Sequence, residues 1–502
     1  MKRENPQRTA GILMPLASLP SDEGIGCLGA DSYRFVDLLA EMGMHVWQLL
    51  PLTPLGYGNS PYQPFASCAG DPLYISLTQL VKDGLLPPDR VPAPRPCAGR
   101  IDYDAVRREK EPLLKKACGR FYETHGDDPE FRDFCTRDWV YPYAVFLALK
   151  RQNGLRPWTE WPVEQRDWIL DRKYDLLPLR DEIRCGIAEQ YLFFRQWQAL
   201  RRYANGRGIR IMGDLPFYVG LDSLEAWSRR EDFLLDEDGR PSFIAGVPPD
   251  YFNAEGQRWG NPIYDWKKMK ADHYAWWMSR LEDNFKLFDF LRIDHFRAFS
   301  SYCEIEANAE TARDGKWIPG PGLDFFEEYD KKFKDRSRLI AEDLGEVTPD
   351  LAEFMSKVGI PGMRVMEFAF YPGDNSSFLP HNFDNNCVAY TGTHDNNTLL
   401  GWLWDSKEEV RKCCLEYCGF TGDNWGDGGS RSGSCRAIIK TLWMSHADVA
   451  IIPIQDMLGY GGDTRMNIPG TPTGNWMVRF TKEDFDSIDN EWYRNLNRIY
   501  FR

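Results

Sequence analysis

The sequence of 502 residues lacks long hydrophobic runs, and this absence argues against a membrane protein. No stretch approaches the roughly 18 uninterrupted apolar residues that a membrane-spanning helix needs. The first residues, MKRENPQRTAGILMPLASLPSDEGIG, begin with basic side chains but contain no long apolar core like that of a secretory signal peptide. We therefore expect a cytoplasmic protein that has no membrane partner.

Cysteine is too sparse for a disulfide-stapled scaffold, with 12 residues in the chain, and no paired C-x-x-C ligand sets occur. Cys413, Cys414 and Cys418 share one helical-looking run, but a thiol metal site would need a fourth ligand there. We interpret these thiols as packing residues in a reducing compartment. The sequence therefore predicts no metal site.

Basic residues are also in deficit, because 61 Lys and Arg face 75 Asp and Glu and leave a formal net charge of −14. Such a field repels nucleic-acid phosphates, so we expect no nucleic-acid partner and a neutral substrate instead. Aromatic residues are plentiful, at 14% with 18 Trp. A large aromatic core is the simpler explanation, although Trp and Tyr faces also stack against sugar rings.

Eight short runs rich in Val, Ile and Leu, separated by segments of helical periodicity, predict a (β/α)8 barrel of the α/β class. The runs are Gly11–Leu16, Val46–Leu52, Ile209–Tyr218, Phe288–Phe296, Arg338–Gly345, Met363–Phe370, Cys387–Asp395 and Val449–Asp456. Several end in polar side chains, namely Asp214, Asp294, Glu342, Asp395 and Gln455. Because barrel active sites form at the C-terminal ends of the strands, we interpret these side chains as functional rather than as a structural ion-pair network.

The spacing of the runs predicts two insertions within a single catalytic barrel that spans residues 1–502. Residues 75–205 are expected to form a mainly helical insertion, with helical runs at 104–123, 129–151 and 182–205 and a Pro-rich linker near 91–100. A second insertion covers residues 220–285. Its segment 246–262, dense in Gly, Pro and aromatic residues, is expected to be a loop over the active site.

One motif suggests a different class of protein. GIGCLG (Gly24–Gly29) matches the G-x-G-x-x-G pattern of dinucleotide-binding proteins and precedes a helical run. In those proteins the glycines directly follow a strand, whereas here SLPSDE intervenes after GILMPL, and no suitable acidic residue follows about 20 residues later. We therefore predict no nucleotide cofactor.

The carboxylates are the stronger signal. Asp294, Glu342 and Asp395 each end a strand-like run, so they converge from different strands on one face of the barrel. Retaining cleavage of a glycosidic bond needs one carboxylate nucleophile and one protonated carboxyl group. Arg292, two residues before Asp294, is expected to lower the pKa of Asp294, and Glu342 should have a raised pKa.

Two histidines adjoin these carboxylates, but neither lies in a HExxH metal motif, and the chain has no GxSxG serine elbow. His394 suits hydrogen bonding to sugar hydroxyls as a neutral imidazole. For His295 a structural role is the favoured interpretation, with a role in binding left open.

Three motifs together resemble the signatures of bacterial and plastid 4-α-glucanotransferases, also called amylomaltases or disproportionating enzymes, which are relatives of the α-amylases. They are RIDHFRAF (292–299), IAEDLG (340–345) and YTGTHDNNT (390–398). The resemblance extends over nearly the whole chain, through segments such as GDLPFYVGLDS (213–223), GVPPDYFNAEGQRWGNP (246–262) and MNIPGTPTGNW (466–476). It places GIGCLG in the family's N-terminal segment rather than in a nucleotide-binding turn.

The resemblance implies roles for individual residues. Asp294 is the expected nucleophile, Glu342 the general acid and base, and Asp395 the carboxylate that stabilises the transition state. The expected substrate-binding residues are Tyr57, Ser60, Tyr62, Asp214, Tyr251, Trp259, Arg292, His394, Asn396 and Gln455. The family also lacks the C-terminal β-sandwich of α-amylases, and Glu367 stands where the family more often has Gln.

The expected activity is transfer of an α-1,4-glucan unit from a donor to glucose or a maltooligosaccharide acceptor, with no cofactor. Two alternatives remain open at this point. The same site can serve an α-glucan hydrolase, because both reactions share the first step, and the barrel can be a non-catalytic glucan-binding protein. The intact Asp294, Glu342 and Asp395 argue against the second alternative. We expect a monomer or a weak homo-oligomer.

Overall fold

Eight parallel strands of the described chain form one sheet that winds into a barrel. The computed structural model describes residues 8–91, 99–249, 255–345 and 348–502, and the side chain of Tyr57 also falls outside the description. In chain order the strands are β1 (Thr9–Leu13), β2 (Val46–Gln48), β3 (Arg210–Leu215), β4 (Phe290–Ile293), β5 (Leu339–Ala341), β6 (Gly362–Val365), β7 (Cys387–Tyr390) and β8 (Val449–Pro453). Their order across the sheet is β6-β7-β8-β1-β2-β3-β4-β5, so the predicted barrel is confirmed.

The two edges of this sheet meet and close the barrel. The Ala341 N–H at the end of β5 donates to the carbonyl of Pro361, which precedes β6 (2.9 Å). On β6, the Met363 N–H donates to Asp343 Oδ1 (2.7 Å). Because closure gives every strand two neighbours, the C-terminal ends of all eight strands surround one opening.

Alternation along each strand divides the core into two parts. On β8, Ile451 points into the barrel, whereas Ala450 and Ile452 pack outward against the helices. The interior is filled by side chains from several strands, including Leu13, Val46, Met212, Ile340, Met363, Val365, Val388, Tyr390 and Ile451. The barrel is therefore a packed core, and a ligand can bind only at its ends.

Helices surround the sheet. Apart from further helices of the two insertions described below, the helices between barrel strands or after the last one include Ala30–Met42, Arg180–Gly206, Ala275–Leu287, Leu323–Phe333, Pro349–Val358, Leu399–Asp405, Glu408–Tyr417, Gly433–Met444, Ile454–Leu458, Lys482–Asp486 and Asn490–Tyr500. The connection from β6 to β7, all of which is described, contains only the 3-10 turns Met366–Phe368 and Pro380–Asn382. Further 3-10 turns are Leu16–Ser18, Tyr57–Asn59, Pro72–Tyr74, Pro88–Arg90, Trp158–Glu160, Leu177–Leu179, Arg230–Asp232, Phe296–Phe299 and Gly462–Thr464.

The long connection from β2 to β3 is helical, and its helices are Leu77–Lys82, Tyr103–His125, Pro129–Cys135, Val140–Gln152, Val163–Arg166, Trp168–Asp171 and the already named Arg180–Gly206. The run predicted at 129–151 is two helices rather than one. The break lets both Phe134 and Trp139 contact Phe194, each with ring centroids 5.7 Å apart. A continuous helix would separate residues five positions apart by about 140° around its axis. The proposed insertion boundaries remain a prediction.

A second sheet lies beside the barrel and was not anticipated from the sequence. Its four antiparallel strands, in spatial order, are Gln257–Pro262, Phe243–Val247, Ser301–Glu306 and Lys316–Pro319. Two belong to the connection after β3, together with the helices Leu224–Ser228 and Trp266–Ala271, and two belong to the connection after β4. Part of the predicted loop at 246–262 is thus an edge strand, while residues 250–254 lie outside the description.

Residues 454–502, all of which are described, contain helices and loops but no strand, so no C-terminal β-sandwich is present there. In the described part of the chain, none of the helices combines the length and the apolar character that crossing a membrane requires.

Candidate active site

A buried arginine organises the C-terminal end of the barrel. The Arg292 guanidinium, on β4, donates two hydrogen bonds from Nη1 to the carboxylate of Asp214 on β3 (2.7 and 2.8 Å). Its Nη2 lies 2.9 Å from Asp294 Oδ1, directly after β4. The side chains of Arg292 and Asp214 are at most 3% exposed, whereas that of Asp294 is 30% exposed. Asp294 is therefore the member of this trio that faces solvent.

Burial is the largest influence on the pKa of Asp294. Burial raises the pKa of Asp294 above its ordinary value, and the carboxylates of Asp214 and Asp395 add to this effect while Arg292 opposes it. Arg292 acts in the expected direction, but burial outweighs it and the net shift of the pKa of Asp294 is upward. The physical reason is that Arg292 is shared with Asp214, so its charge only partly compensates the burial of Asp294.

Glu342, directly after β5, is held by the backbone of its neighbours. Its Oε2 accepts a hydrogen bond from the N–H of His295 (2.8 Å) and its Oε1 accepts one from the N–H of Leu344 (2.9 Å). Burial and the negative charge of Asp294 nevertheless raise the pKa of Glu342 to about 7, against the opposing charge of Arg292. The pKa of Glu342 is therefore raised, as expected from the sequence, and Glu342 is suited to carry a proton near neutral pH.

The loop after β7 places His394 and Asp395 on the other side of the opening. His394 Nε2 lies 3.4 Å from Asp395 Oδ2, and Asn467 Nδ2 donates to Asp395 Oδ1 (2.6 Å). Burial opposes ionisation of Asp395, but His394 and Asn467 together hold the pKa of Asp395 below its ordinary range. Burial likewise lowers the pKa of His394, and Asp395 reverses this effect and raises it. Asp395 is therefore a fixed anion.

These groups border a cleft of about 380 Å³ at the C-terminal end of the barrel. One wall is aromatic: the rings of Tyr62 and His394 stack with centroids 5.0 Å apart, and Trp476 lies 5.5 Å from Tyr62. The Tyr62 hydroxyl donates to Asp214 Oδ2 (2.8 Å), which fixes the ring. The flat faces of such rings suit the apolar faces of sugars.

The opposite wall contains three rings. The Trp259 ring meets that of His295 edge to face at 4.7 Å, and Tyr218 lies 6.2 Å from each of them. Gln63 Nε2 donates to the Trp259 carbonyl (3.0 Å) and so ties the edge strand of the second sheet to the cleft. Two buried polar atoms of this wall, Tyr218 Oη and His295 Nε2, have no hydrogen-bond partner among the described residues.

The structure brings most of the predicted site residues together. Ser60, Tyr62, Trp259, Asp294, His394 and Asp395 line the cleft, and Asp214, Arg292 and Glu342 contact these residues or their neighbours. Asn396 and Gln455 do not line the cleft. Asn396 Oδ1 accepts from Thr393, and Gln455 Nε2 donates to the carbonyl of Thr464. Their role in binding stays a prediction, and the side chain of Tyr57 and all of Tyr251 lie outside the described residues.

Several cleft residues were not assigned a role from the sequence. They are Gln63, Tyr218, Gln257, Asn261, Asn467, Pro469, Thr471, Asn475 and Trp476. Asn467 and Trp476 lie in the segment 466–476, which carried part of the family resemblance but has no periodic pattern that would single out a residue. Asn467 is 72 residues from the Asp395 that it contacts, so only the tertiary structure identifies the pair.

One group of described side chains could hold a metal ion, and it lies outside the cleft. Cys118, on the helix Tyr103–His125, approaches Cys185 and Glu189, on the helix Arg180–Gly206, with all three candidate ligand atoms within 4.8 Å of one another. All three side chains are buried in the helical insertion. The groups in and next to the cleft are mainly carboxylates, an arginine and aromatic rings.

Comparison with known proteins agrees with this geometry. A sequence model of the family described as 4-α-glucanotransferase matches residues 14–484. The chain belongs to this family. The 4-α-glucanotransferase of Synechocystis is 40% identical over 97% of this chain and 95% of its own length. That of Thermus thermophilus is 40% identical over 94% of both chains.

A solved structure extends the similarity to three dimensions. Amylomaltase from Streptococcus agalactiae, in complex with acarbose, superposes with a TM-score of 0.93 at 36% identity, covering 99% of both chains. The chain is therefore an enzyme of the glucan-transferring class, and the family, the barrel and the transferase activity expected from the sequence are confirmed.

Proposed function

We propose that this member of the 4-α-glucanotransferase family disproportionates α-1,4-glucans by a retaining double displacement. It would cleave a donor chain and transfer the glucanosyl unit to the 4-hydroxyl group of glucose or of another maltooligosaccharide. The observation that carries the proposal is the arrangement of Asp294, Glu342 and Asp395 around one cleft, each with a different charge environment. Retaining cleavage requires such a division between an anionic and a protonated carboxyl group.

In the first step Asp294 attacks the anomeric carbon of the donor. A new C–O bond forms to the carboxylate while the glycosidic C–O bond breaks, and Glu342 gives its proton to the leaving oxygen. The ion pair with Arg292 favours the ionised form of Asp294, and no arginine directly contacts Glu342 in the described structure. The shared proton of the two coupled carboxyl groups is therefore assigned to Glu342.

The second step reverses the first with a new partner. The 4-hydroxyl group of the acceptor attacks the glycosyl ester, and Glu342, now ionised, takes the hydroxyl proton. The bond to Asp294 breaks and its carboxylate is released. Both residues regain their starting protonation states, so the cycle needs no external acid or base.

Asp395 stays anionic throughout because His394 and Asn467 stabilise its charge. Its side chain is 46% exposed to the cleft, where it can accept hydrogen bonds from hydroxyl groups of the sugar unit being transferred. Such bonds favour the distorted, oxocarbenium-like ring of the transition state.

Preference for an acceptor glucan over water depends on the wall formed by Tyr218, Trp259 and His295. Its ring faces reduce the access of water, and two of its buried atoms, Tyr218 Oη and His295 Nε2, which have no partner among the described residues, can bind hydroxyl groups of the acceptor. Correct placement of the acceptor favours transfer over hydrolysis by proximity. Hydrolysis remains the competing second outcome of the same glycosyl intermediate.

Incubation with maltotriose alone tests the proposal. Separation of the products by chain length should give glucose together with a ladder of longer maltooligosaccharides, without a net gain in reducing ends. Glucose and maltose with rising reducing ends would instead identify a hydrolase. No change would favour the glucan-binding alternative. A parallel reaction with a chelator should proceed unchanged, and its loss of activity would contradict the prediction of a metal-free site.

A further inference from the structure

Two buried carboxyl groups flank the loop that carries His394 and Asp395. Glu367 follows β6 and Asp456 follows β8, so they lie on either side of the loop that follows β7. They are 6% and 2% exposed, and neither lines the cleft. Neither of them takes part in the proposed reaction. Burying a carboxyl group is costly unless its oxygens are hydrogen-bonded or paired, so the surroundings of both groups matter.

Asp456 fastens both ends of this loop. Its Oδ2 accepts a hydrogen bond from the Thr391 hydroxyl at the start of the loop (2.5 Å). Its Oδ1 accepts from the N–H of Leu399 at the far end (2.7 Å). The loop between these two points has no regular secondary structure, so the position of its centre depends on other contacts.

Glu367 supplies further contacts to the loop that carries His394 and Asp395. Its N–H donates to the Thr391 carbonyl (3.2 Å), and its carboxyl group is electrostatically stabilised by the nearby Asn396 side chain, while Oε1 has no hydrogen-bond partner among the described residues. A Cβ atom at residue 392 would lie only 2.7 Å from Glu367 Oε1, so Gly392 permits this close approach. Glu367 is therefore in direct contact with the loop at several points.

Asn396 is hydrogen-bonded to Thr393, which precedes His394 and Asp395 in the loop. Its Oδ1 accepts hydrogen bonds from both the N–H (2.9 Å) and the hydroxyl (2.8 Å) of Thr393. The Thr393 hydroxyl in turn accepts from the N–H of Asp395 (3.3 Å). Glu367 thus contacts the loop directly, and hydrogen bonds within the loop connect its neighbour Asn396 with the backbone of Asp395.

We infer that Glu367 is a positioning residue for Asp395, acting through Asn396 and Thr393. It holds the loop so that the Asp395 carboxylate points into the cleft and stays within reach of His394 and Asn467. The inference rests on the role proposed above for Asp395, and it assigns Glu367 no contact with substrate.

The charge state of Glu367 determines which substitution preserves this role. Burial raises the pKa of Glu367 well above its ordinary value, and Asp456 adds to the shift while Arg465 opposes it. The Cys414 thiol also interacts electrostatically with this carboxyl group. This environment favours the neutral form of Glu367, and the neutral amide of Gln has the same shape and can occupy the same place beside Asn396.

The test compares Glu367→Gln with Glu367→Ala, using maltotriose transfer and thermal unfolding. Glu367→Gln should keep kcat within about threefold of the wild type. Glu367→Ala should lower kcat by roughly 10- to 100-fold with little change in KM, because a misplaced Asp395 weakens binding of the transition state more than binding of the substrate. An alanine variant that unfolds normally and retains its kcat would overturn the inference.

A double-mutant cycle distinguishes action through Asp395 from general damage. In an Asp395→Asn background, Glu367→Ala should cause little further loss of kcat, since the group that it positions has already been disabled. Losses that multiply fully would contradict the inference. If Glu367→Ala does not fold, Asn396→Ala interrupts the same set of bonds from the loop side and should give the same loss and the same non-additivity.

These variants also separate this inference from the proposed function. A wild-type protein without maltotriose activity would contradict the proposed function, whereas an active wild type with additive variants would contradict only the role of Glu367.

Discussion

Two aspartates flank the same barrel strand, and their environments differ in kind. Asp289, just before β4, accepts hydrogen bonds from Arg201 Nη2 (2.7 Å), Asn205 Nδ2 (2.8 Å) and the N–H of Ile211 (2.8 Å). Asp294, just after β4, has the ion pair with Arg292 and opens onto the cleft. Burial acts against ionisation at both positions.

The outcome is opposite at the two ends. At Asp289 the hydrogen bonds outweigh burial and lower the pKa, whereas at Asp294 burial and neighbouring carboxylates raise it. The N-terminal end of the barrel therefore uses a carboxylate as a fully bonded structural group. At the C-terminal end, Asp294 has few partners. A nucleophile needs a free oxygen to form a new bond, and this arrangement leaves one available.

Removing each carboxylate in turn should expose this difference most strongly. Asp294→Ala should lower maltotriose transfer by more than about 10⁴-fold, because no other described side chain is placed to form the glycosyl ester. Thermal unfolding should show a fold as stable as the wild type, since Arg292 keeps its bonds to Asp214. Asp289→Ala is the matched control, and full activity in Asp294→Ala would contradict the assignment of the nucleophile.

The pH dependence of kcat/KM provides a second comparison. Glu342 must be protonated to act as the acid of the first step, and its pKa is raised to about 7. Activity should therefore fall about tenfold per pH unit above pH 7, as the proton is lost. The Asp289→Ala variant should keep this alkaline limb at the same pH. A profile that stays flat to pH 9 would contradict the role of Glu342.

A smaller effect is expected from the wall of the cleft. Tyr218→Phe removes the Oη atom, which has no partner in the described part of the chain, and keeps the ring. A lost hydrogen bond to the acceptor, worth about 0.5–1.5 kcal/mol, should raise the KM for the glucose acceptor roughly 2- to 13-fold. The fraction of turnovers that end in hydrolysis should rise. Tyr141→Phe, on a ring that is 45% exposed, is the control. An unchanged acceptor KM would remove Tyr218 from the acceptor site.

The smallest effect on activity is expected at the structural end of the strand. Asp289→Ala removes the acceptor of the Ile211 N–H and one of the acceptors of Arg201, and it should lower the free energy of unfolding by about 1–3 kcal/mol. Its kcat should stay within about twofold of the wild type, as measured under conditions where the variant is folded. A large loss of kcat without a loss of stability would break the comparison between the two ends of β4.

The sequence predicted the position of Asp294 and Glu342 at the C-terminal rim because each is local to a strand end. Asp294 and Glu342 directly follow short apolar runs, and a barrel places such residues at one rim whatever the details of its packing. Asn467 and Tyr218 could not be identified in this way. Asn467 belongs to a loop distant from Asp395 in sequence. That the Tyr218 hydroxyl has no partner among the residues that the structure describes is recognisable only from its surroundings.

The sequence alone also could not predict the four-stranded sheet beside the barrel. Its strands come from the connections after β3 and β4, and their pairing, such as Ile244 with Ile305, joins segments that are separated by β4. Alternation within one strand does not specify such a distant partner. The net direction of the pKa shift at Asp294 was likewise missed, because the sharing of Arg292 with Asp214 depends on two strands.

The order of apolar runs and the polar residues at their ends thus predicted the barrel and the rim on which the three carboxylates lie, since these depend on local pattern and on strand direction. The family was indicated by the resemblance of the motifs that contain those carboxylates. Tertiary structure decided which side chains face one another across the cleft, how far burial shifts each pKa, and how the loop after β7 is held between Glu367 and Asp456. Those properties depend on distances between residues far apart in the chain, to which hydrogen bonds and charges respond but local sequence patterns do not.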